Sequence, residues 1–365
     1  MLQYISVLLF VGRQVVIMAK NADLSNAKTA KKDEFYTQLE DINAEMVHYE
    51  DQFKGKTILM NCDDPTWSNF WRYFHLEFER LGLKKIIATH FEYGNVSTYK
   101  MEYEGGDDEN FEAGVRTDLT QNGDFRSPEC LELLDEADIV VTNPPFSLFR
   151  EYVSLLIEHC KHFIIIGNVN ALTYKEIFPL IKNNKIWLGA SIHSGDRKFY
   201  VPDDYPLNAA GCGTDSDGRR FIRVKGVRWY TNMDYKARHT NLETTYYYAK
   251  KGDLYPDLYP KYHNYDAINV DKTTEIPMDY YEAMGVPITF MDKYNPDQFE
   301  ILGMSAVAET MDNPVQFGEE FISIYRSQGG TGHFSPKMYG VCYFDNEGKA
   351  KVPYGRIIIK RKVGK

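Results

Sequence analysis

The chain has 365 residues, of which 43% are hydrophobic and 26% are charged, and its formal net charge is −10 at pH 7. This length and composition can bury a substantial core in one large domain or two, which excludes a chain that is disordered overall. Its five cysteines are scattered without a Cys-x-x-Cys pair, so the sequence signals neither a zinc cluster nor a disulfide framework. We therefore expect no metal site and a cytoplasmic location.

The first segment, residues 1–17, is apolar at its start but contains Gly12 and Arg13. It lacks a basic beginning and is too short to span a bilayer, so it matches a signal peptide or a membrane anchor poorly. We interpret it as a non-native or disordered extension that results from an upstream start codon. The alternative is a genuine additional strand or helix.

From residue 57 the chain alternates between strand and helix patterns. This alternation is typical of an α/β fold, a mostly parallel sheet with helices on both faces. The acidic segment 92–120 is expected to be an excursion on the surface. Strands are predicted at 57–61, 85–91, 139–142, 163–166 and 185–188, and helices at 68–81, 127–136, 148–160 and 173–181.

After about residue 191 the periodicity weakens, and short aromatic strands, prolines and tyrosines dominate. A long strand is predicted at 220–230 and a final strand at 355–361. We place a catalytic domain at 18–238 and a second, strand-rich region at 239–365.

The tetrapeptide Asn143-Pro144-Pro145-Phe146 directly follows the buried strand predicted at 139–142. In open α/β sheets, ligands bind outside the carboxyl ends of the strands. Two prolines fix the backbone and donate no N–H, while the side-chain oxygen of Asn143 and the carbonyl of Pro144 form a pair of acceptors suited to an exocyclic amine. The ring of Phe146 offers a face for a planar base. The alternative interpretation is a strand-ending turn with a core phenylalanine.

Together with this motif, several further segments resemble the amino methyltransferases that use S-adenosylmethionine, and in particular the EcoRI-type adenine-specific DNA methyltransferases. They cover most of the chain from about Met18 onward. The segments are 32–38, Asn61-Cys62-Asp63-Asp64-Pro65 with Ser68-Asn69-Phe70, Gly123-Asp124-Phe125-Arg126-Ser127, 142–150, 174–179, 183–189, 285–290 and 292–296.

The resemblance implies a Rossmann-like methyltransferase core followed by a strand-rich target-recognition region. The implied activity is transfer of a methyl group from S-adenosylmethionine to the N6 amine of a flipped adenine in a specific DNA sequence. In-line displacement requires alignment of the amine with the methyl carbon, which positioning by Asn143, Pro144, Pro145 and Phe146 would supply. A restriction-modification or DNA-protection role is expected, with double-stranded DNA and a separately acting cognate endonuclease as partners.

The resemblance also implies the cofactor site. Asp124 and Phe125 correspond to the element that binds the adenine of the cofactor, and Phe35-Tyr36-Thr37 to the element that meets its methionine end. The turn Asn61-Cys62-Asp63-Asp64-Pro65 stands where most methyltransferases carry glycines, so side chains such as Asp63 or Asp64 are expected to make the contacts. The alternative for Asp124 is an N-cap of the helix predicted at 127–136.

The acidic net charge is the main objection to a DNA substrate, because DNA-binding proteins usually present clustered lysines and arginines. Charge is unevenly distributed, however, and a basic cluster is expected to contact phosphates. This cluster comprises Arg219, Arg220, Arg223, Lys225 and Arg228.

Trp229 or Tyr230 is the candidate for a second aromatic wall of the base pocket. The alternative is that both are core residues.

Two other functions remain open from the sequence. The Asn-Pro-Pro-aromatic motif also occurs in enzymes that methylate RNA bases or the amide of a protein glutamine. A DNA-binding relative that has lost catalysis is the third possibility, although the intact motif weighs against it.

Overall fold

A computed structural model describes residues 37–92, 94, 97–201, 205, 207, 211–248 and 258–363. The extension 1–17 and the candidate cofactor residues Phe35 and Tyr36 lie outside the described residues. The chain divides into two compact units. The first comprises Met1–Val169 and Ser194–Met233, and the second comprises Asn170–His193 and Asp234–Lys365.

The described α-helices are α1 (Leu39–Met46), α2 (Asn69–Leu76), α3 (Phe78–Leu81), α4 (Pro128–Glu136), α5 (Phe149–Glu158), α6 (Phe178–Lys182) and α7 (Glu319–Ser327). The strands up to residue 200 are β1 (Thr57–Met60), β2 (Lys85–Thr89), β3 (Tyr99–Tyr103), β4 (Val115–Asp118), β5 (Ile139–Thr142), β6 (His162–Asn168), β7 (Trp187–Leu188) and β8 (Asp196–Tyr200). The later strands are β9 (Gly213–Thr214), β10 (Arg220–Lys225), β11 (Val227–Thr231), β12 (Ile268–Asn269), β13 (Met284–Pro287), β14 (Phe299–Met304), β15 (Tyr343–Phe344), β16 (Ala350–Lys351) and β17 (Arg356–Arg361).

The first unit is built on a sheet whose strands lie in the order β4-β3-β2-β1-β5-β6-β11. The four central strands β2, β1, β5 and β6 run parallel, whereas β3, β4 and β11 run antiparallel to their neighbours. Because the chain leaves β1 for β2 on one side and later places β5 on the other, the topological switch point lies between β1 and β5. The mixed α/β fold with a mostly parallel central sheet agrees with the expected methyltransferase core.

The helices of this unit begin and end where local chemistry predicts. The side chain of Ser68 caps α2 by accepting from the backbone N–H groups of Phe70 and Trp71, and Gly82 closes α3 in the left-handed conformation. The helix predicted at 68–81 is in fact two helices, separated at Glu77. Phe70 and Phe74 pack edge-on against Trp229 and Phe53, which anchors α2 to the core.

Two expectations about this unit need correction. The segment 92–120 is largely at the surface as expected, but it also contributes β3 and the exposed edge strand β4, which extend the sheet beyond β2. The long strand expected at 220–230 is two strands, β10 in a small sheet ordered β8-β10-β9 and β11 in the large sheet. The chain changes sheets at Gly226, whose φ is +74° and where a Cβ would lie 2.8 Å from Val169 Cγ1.

The second unit contains a sheet ordered β12-β13-β17-β14, the pair β15-β16 and helix α7. The final strand expected at 355–361 is present as β17, but the helix expected at 173–181 is helical in α6 only over Phe178–Lys182. Residues 170–193, which the sequence placed with the catalytic domain, belong to this unit. None of the helices in the described residues is long and apolar enough to span a bilayer.

We predict that Gly226→Ala destabilises the protein more than Gly218→Ala does. Both glycines have positive φ, but no atom lies within 4 Å of a Cβ at Gly218. Gly218→Ala should therefore cost roughly 1 kcal/mol for the backbone alone, whereas Gly226→Ala adds an overpacking cost of about 1 to 3 kcal/mol. Urea unfolding of both variants measures the difference. Equal costs would contradict a close approach at Gly226.

Candidate functional site

The Asn143–Phe146 loop begins directly after β5 at the carboxyl edge of the parallel strands. Asn143 and Pro144 are buried, whereas Pro145 and Phe146 are partly exposed. The carbonyl of Pro145 accepts from the N–H of Leu148 at 2.9 Å, which begins the turn that leads into α5. The structure therefore places the loop at the switch point of the sheet, with the ring of Phe146 partly exposed.

Asp63, in the turn after β1, holds this loop across the switch point. Its Oδ2 accepts from the hydroxyl of Thr142, the last residue of β5, and from the backbone N–H of Asn143 at 3.3 Å. Asp63 is only 7% exposed. One buried carboxylate thus connects the ends of the two strands that flank the switch point.

Burial raises the pKa of Asp63 to about 6, although hydrogen bonds from Thr142, Asn143 and Ser68 act in the opposite direction. Desolvation disfavours the charged form more than these donors stabilise it. The carboxyl therefore changes its charge in the range between pH 5 and pH 7.

Asn61 and Phe125 both contact Tyr152 of α5. The hydroxyl of Tyr152 donates to Asn61 Oδ1, and the rings of Phe125 and Tyr152 pack edge-on with centroids 4.9 Å apart. Asn61 is 2% exposed, and its Nδ2 has no hydrogen-bond partner among the described residues. A buried amide donor at a strand end is the kind of group that a polar ligand satisfies.

Asp124 is positioned by Gly123. The φ of Gly123 is +75°, and a Cβ there would lie 2.0 Å from the carbonyl oxygen of His90, so only glycine allows this approach to the end of β2. The carboxylate of Asp124 accepts from the backbone N–H and the guanidinium of Arg126, which lowers its pKa. It remains ionised and partly exposed at neutral pH. Ser127, not Asp124, caps α4, which removes the alternative role of Asp124.

Asp64 faces a different set of partners from Asp63. Its oxygens accept from the N–H and hydroxyl of Thr66 and from Tyr99, and His90 Nδ1 lies 3.2 Å from Oδ2. Burial raises the pKa of Asp64, but hydrogen bonds from His90 and Thr66 outweigh it and lower the value to about 2. Asp64 therefore fixes the turn against β3 and the end of β2.

The remaining candidate cofactor residues that the structure describes lie at the same edge. The carbonyl of Thr37 accepts from Asn69 Nδ2 at 2.6 Å, which ties the segment before α1 to the start of α2. Thr37 is 3% exposed, and its hydroxyl has no partner among the described residues. Cys62 is half-buried with its sulfur 3.8 Å from Asn61 Oδ1, and Pro65 is buried.

The two candidate stacking residues are packed in the core of the first unit. Trp229 is 1% exposed and meets Phe70 edge-on, and Tyr230 is 0% exposed, packs against Phe149 and donates to the carbonyl of Asn168. In this structure neither ring is open to a base. The geometry favours the alternative interpretation as core residues.

The basic cluster is divided by burial. Arg228 is 5% exposed and donates to the carbonyl of Val227, so in this structure it is not presented to a phosphate. Arg220 donates to the carbonyl of Tyr205. Exposed cations remain on β10 and just before it, namely Lys225, Arg223 at 3.5 Å from Asp196, and Arg219 paired with Asp215 and Asp217.

Sequence reasoning missed Thr142 and Tyr152 as members of the site. Their side chains matter because they hold Asp63 and Asn61, and residue type alone gives no sign of that. The available signal was positional, since Thr142 is the last residue before the motif and Tyr152 lies one helical turn into the helix that follows it.

A parallel α/β sheet with an Asn-Pro-Pro-Phe loop at its switch point is the arrangement of the amino methyltransferases, and this is the class that fold and site define. The model of the family described as "Adenine-specific methyltransferase EcoRI" matches residues 23–362. The chain therefore belongs to the EcoRI family of adenine-specific methyltransferases, which confirms the resemblance inferred from the sequence.

Curated relatives agree with this assignment. The Type II methyltransferase M.EcoRI of Escherichia coli is 46% identical over 78% of this chain and 90% of its own length. M.MpnI of Mycoplasma pneumoniae is 40% identical over 76% of this chain and 84% of its own. M.MgeORF184P of Mycoplasma genitalium is 39% identical over the same shares. No solved structure matches the chain.

We predict that Asp63→Asn becomes more stable relative to the parent protein as pH rises from 4 to 8. A carboxyl whose folded pKa is raised, here from 3.8 to about 6, contributes stability that is present below its unfolded pKa and is lost as pH rises through the folded value. The asparagine does not titrate, so between pH 4 and pH 8 the difference should shift by about 2 kcal/mol in favour of the variant. Urea unfolding at both pH values measures it, and a constant difference would contradict the raised pKa.

Proposed function

We propose that this protein transfers a methyl group from S-adenosylmethionine to the N6 amine of a target adenine in a specific sequence of double-stranded DNA. Adenine specificity and methyl transfer follow from the family. The observation that carries the proposal is the Asn143–Phe146 loop, fixed at the switch point beside Asn61, Asp124 and Phe125. The relatives are named Type II methyltransferases, which supports DNA as the substrate and a separate cognate endonuclease as a partner.

The residues at the carboxyl edge fit the cofactor. Gly123 lets the backbone pack so closely against His90 that a Cβ would collide with its carbonyl oxygen, and this contact holds Asp124 and Phe125 next to the end of β2. The Nδ2 of Asn61 and the hydroxyl of Thr37 are buried polar atoms without a partner in the described chain. We assign these groups, with Phe125 and the Asp63–Asp64 turn, to the cofactor region. The bound cofactor supplies an electrophilic methyl group on a sulfonium.

The side chain of Asn143 and the carbonyl of Pro144 would accept the two hydrogens of the adenine amine. The amine is a weak nucleophile because its lone pair is delocalised into the ring. Two acceptors favour its pyramidal form and stabilise the positive charge that develops on nitrogen. Hydrogen bonds to a charged group contribute about 1.5 to 3 kcal/mol each, so the pair accounts for a few orders of magnitude in rate.

Phe146 would stack on the target base. Rotation of a base out of a duplex costs a few kcal/mol, and stacking on an aromatic ring recovers about 1 to 3 kcal/mol. Because Phe146 is partly exposed next to the buried Asn143, it is available to a base that enters from solvent. Trp229 and Tyr230 would need to leave the core to contribute a second wall, so we assign stacking to Phe146.

For the polynucleotide, we assign phosphate contacts to Arg219, Arg223 and Lys225 on the small sheet β8-β10-β9, and target recognition to the region 239–365. The direct test uses the protein with labelled S-adenosylmethionine and random-sequence duplex DNA, RNA and protein extract. The product is digested and analysed by mass spectrometry for N6-methyladenine. Label in DNA adenine supports the proposal, whereas label only in RNA or in glutamine, or no label at all, refutes it.

We predict that Asn143→Ala lowers the single-turnover rate of methyl transfer by about 100-fold or more, because it removes one of the two acceptors. Binding of S-adenosylmethionine, measured by calorimetry, should stay within about twofold. Asn183→Ala serves as a matched control, since it changes the same residue type at the carboxyl end of α6. An unchanged rate in Asn143→Ala would refute the acceptor role.

We also predict that Gly123→Ala weakens binding of S-adenosylmethionine by about tenfold or more. Its Cβ would displace the loop from His90 and move Asp124 and Phe125 with it. Gly55→Ala is the control, because Gly55 also has positive φ (+72°), has open space around a Cβ, and lies before β1 at the opposite edge. Equal affinities of the two variants would contradict the placement of the cofactor.

A further inference from the structure

We infer that Asp63 is a positioning residue that aligns the amine-binding loop through Thr142, rather than a ligand of the cofactor. This inference rests on the proposed function, because it explains how the loop of that same site is held. Of the two side chains that the sequence offered for a cofactor contact, Asp63 and Asp64, it leaves only Asp64 in that role.

The hydrogen bonds of Asp63 carry the argument. Its Oδ2 accepts from both the Thr142 hydroxyl and the Asn143 N–H, and the side chain of Ser68 also bonds this carboxyl. A carboxylate that accepts several internal bonds while only 7% exposed has little capacity left for a ligand. Asp64 beside it is more open, with 16% of its side chain exposed.

The bonded atoms show what Asp63 controls. The backbone nitrogen of Asn143 belongs to the residue whose side chain is assigned as acceptor, and Thr142 is its immediate neighbour. Holding both at one point fixes where β5 ends and therefore where the Asn143 oxygen and the Pro144 carbonyl point. A displacement of about 1 Å in a reacting group can lower a rate about 100-fold.

The charge of Asp63 should then be visible in the reaction. Only the ionised carboxylate is purely an acceptor, and protonation weakens its hold on Thr142 and Asn143. The groups that face it are Ser68 and Thr142 as donors and Cys62, Asp64 and Tyr152 as titratable neighbours. Burial raises the pKa of Cys62 and Tyr152, so both stay neutral at the pH values of the assay, and Asp64 stays ionised. Asp63 is therefore the group of this cluster that titrates near pH 6.

The test combines three variants with single-turnover rates on duplex DNA at saturating cofactor. Asp63→Ala should lower the rate constant about 100-fold and Thr142→Val about tenfold, while the Kd for S-adenosylmethionine stays within about twofold. The double variant should be no slower than Asp63→Ala alone, because both changes remove the same contact. Asp63→Asn keeps an acceptor oxygen, so it should be faster than Asp63→Ala, and it should lack the fall in rate below about pH 6 that we expect for the parent protein.

Thr231→Val is the matched control for Thr142→Val. Thr231 is also buried at the end of a strand in the same sheet and donates to the carbonyl of Phe163, but β11 runs antiparallel, so it lies at the opposite edge. Thr231→Val should therefore lower the stability of the protein without lowering the rate of methyl transfer. A weaker Kd with an unchanged rate at saturation in Asp63→Ala would make Asp63 a cofactor ligand and overturn the inference, as would a normal rate in Thr142→Val. If the parent protein itself methylates no DNA, the proposed function fails instead.

Discussion

The contact on which the site depends is the pair of hydrogen bonds that Asp63 accepts from Thr142 and Asn143. A parallel sheet brings the ends of β1 and β5 to one edge, but it does not determine how the chain leaves them. The buried carboxylate of Asp63 fixes how the chain leaves these strands. Its burial costs free energy, because the ionised form is poorly solvated, as its raised pKa indicates. The cost is consistent with a functional role, because a stability-driven core would place an apolar or neutral group there.

The turn after β1 carries no glycine and is filled by side chains. Asn61, Asp63 and Asp64 are each bonded to a different element: α5, β5, and the edge formed by β2 and β3. The turn is therefore held by side-chain hydrogen bonds to its neighbours. A close backbone contact that requires a residue without Cβ lies instead in the loop before α4, where Gly123 packs against the carbonyl of His90.

The sequence predicted the parallel centre of the sheet and the position of the motif, because apolar runs and turn residues are local signals. It failed where the outcome depends on distant partners. Segment 92–120 looks like a polar loop, yet part of it forms β3, where Glu102 pairs with Lys100 of the same strand and with Lys85 of β2. Gly226 looks like one residue within a strand, and only the proximity of Val169 shows that the chain must turn there. The partners of Asp63 are separated from it by about eighty residues in the chain, and no local sequence pattern indicates a contact between residues so far apart.

The charges of the small sheet agree with a DNA substrate despite the acidic body. Arg219 and Arg223 are paired with aspartates, but their side chains are 55% and 50% exposed, and exposed ion pairs contribute at most about 1 kcal/mol. On the proposed assignment of phosphate contacts to these arginines, replacing an aspartate by a phosphate would therefore cost little. A surface of this kind binds a polyanion mainly through release of counterions, so its affinity falls steeply with salt. On the proposed assignment of phosphate contacts to this sheet, non-specific association would be weak at physiological ionic strength, and specific contacts would determine which adenine reaches Phe146 and Asn143.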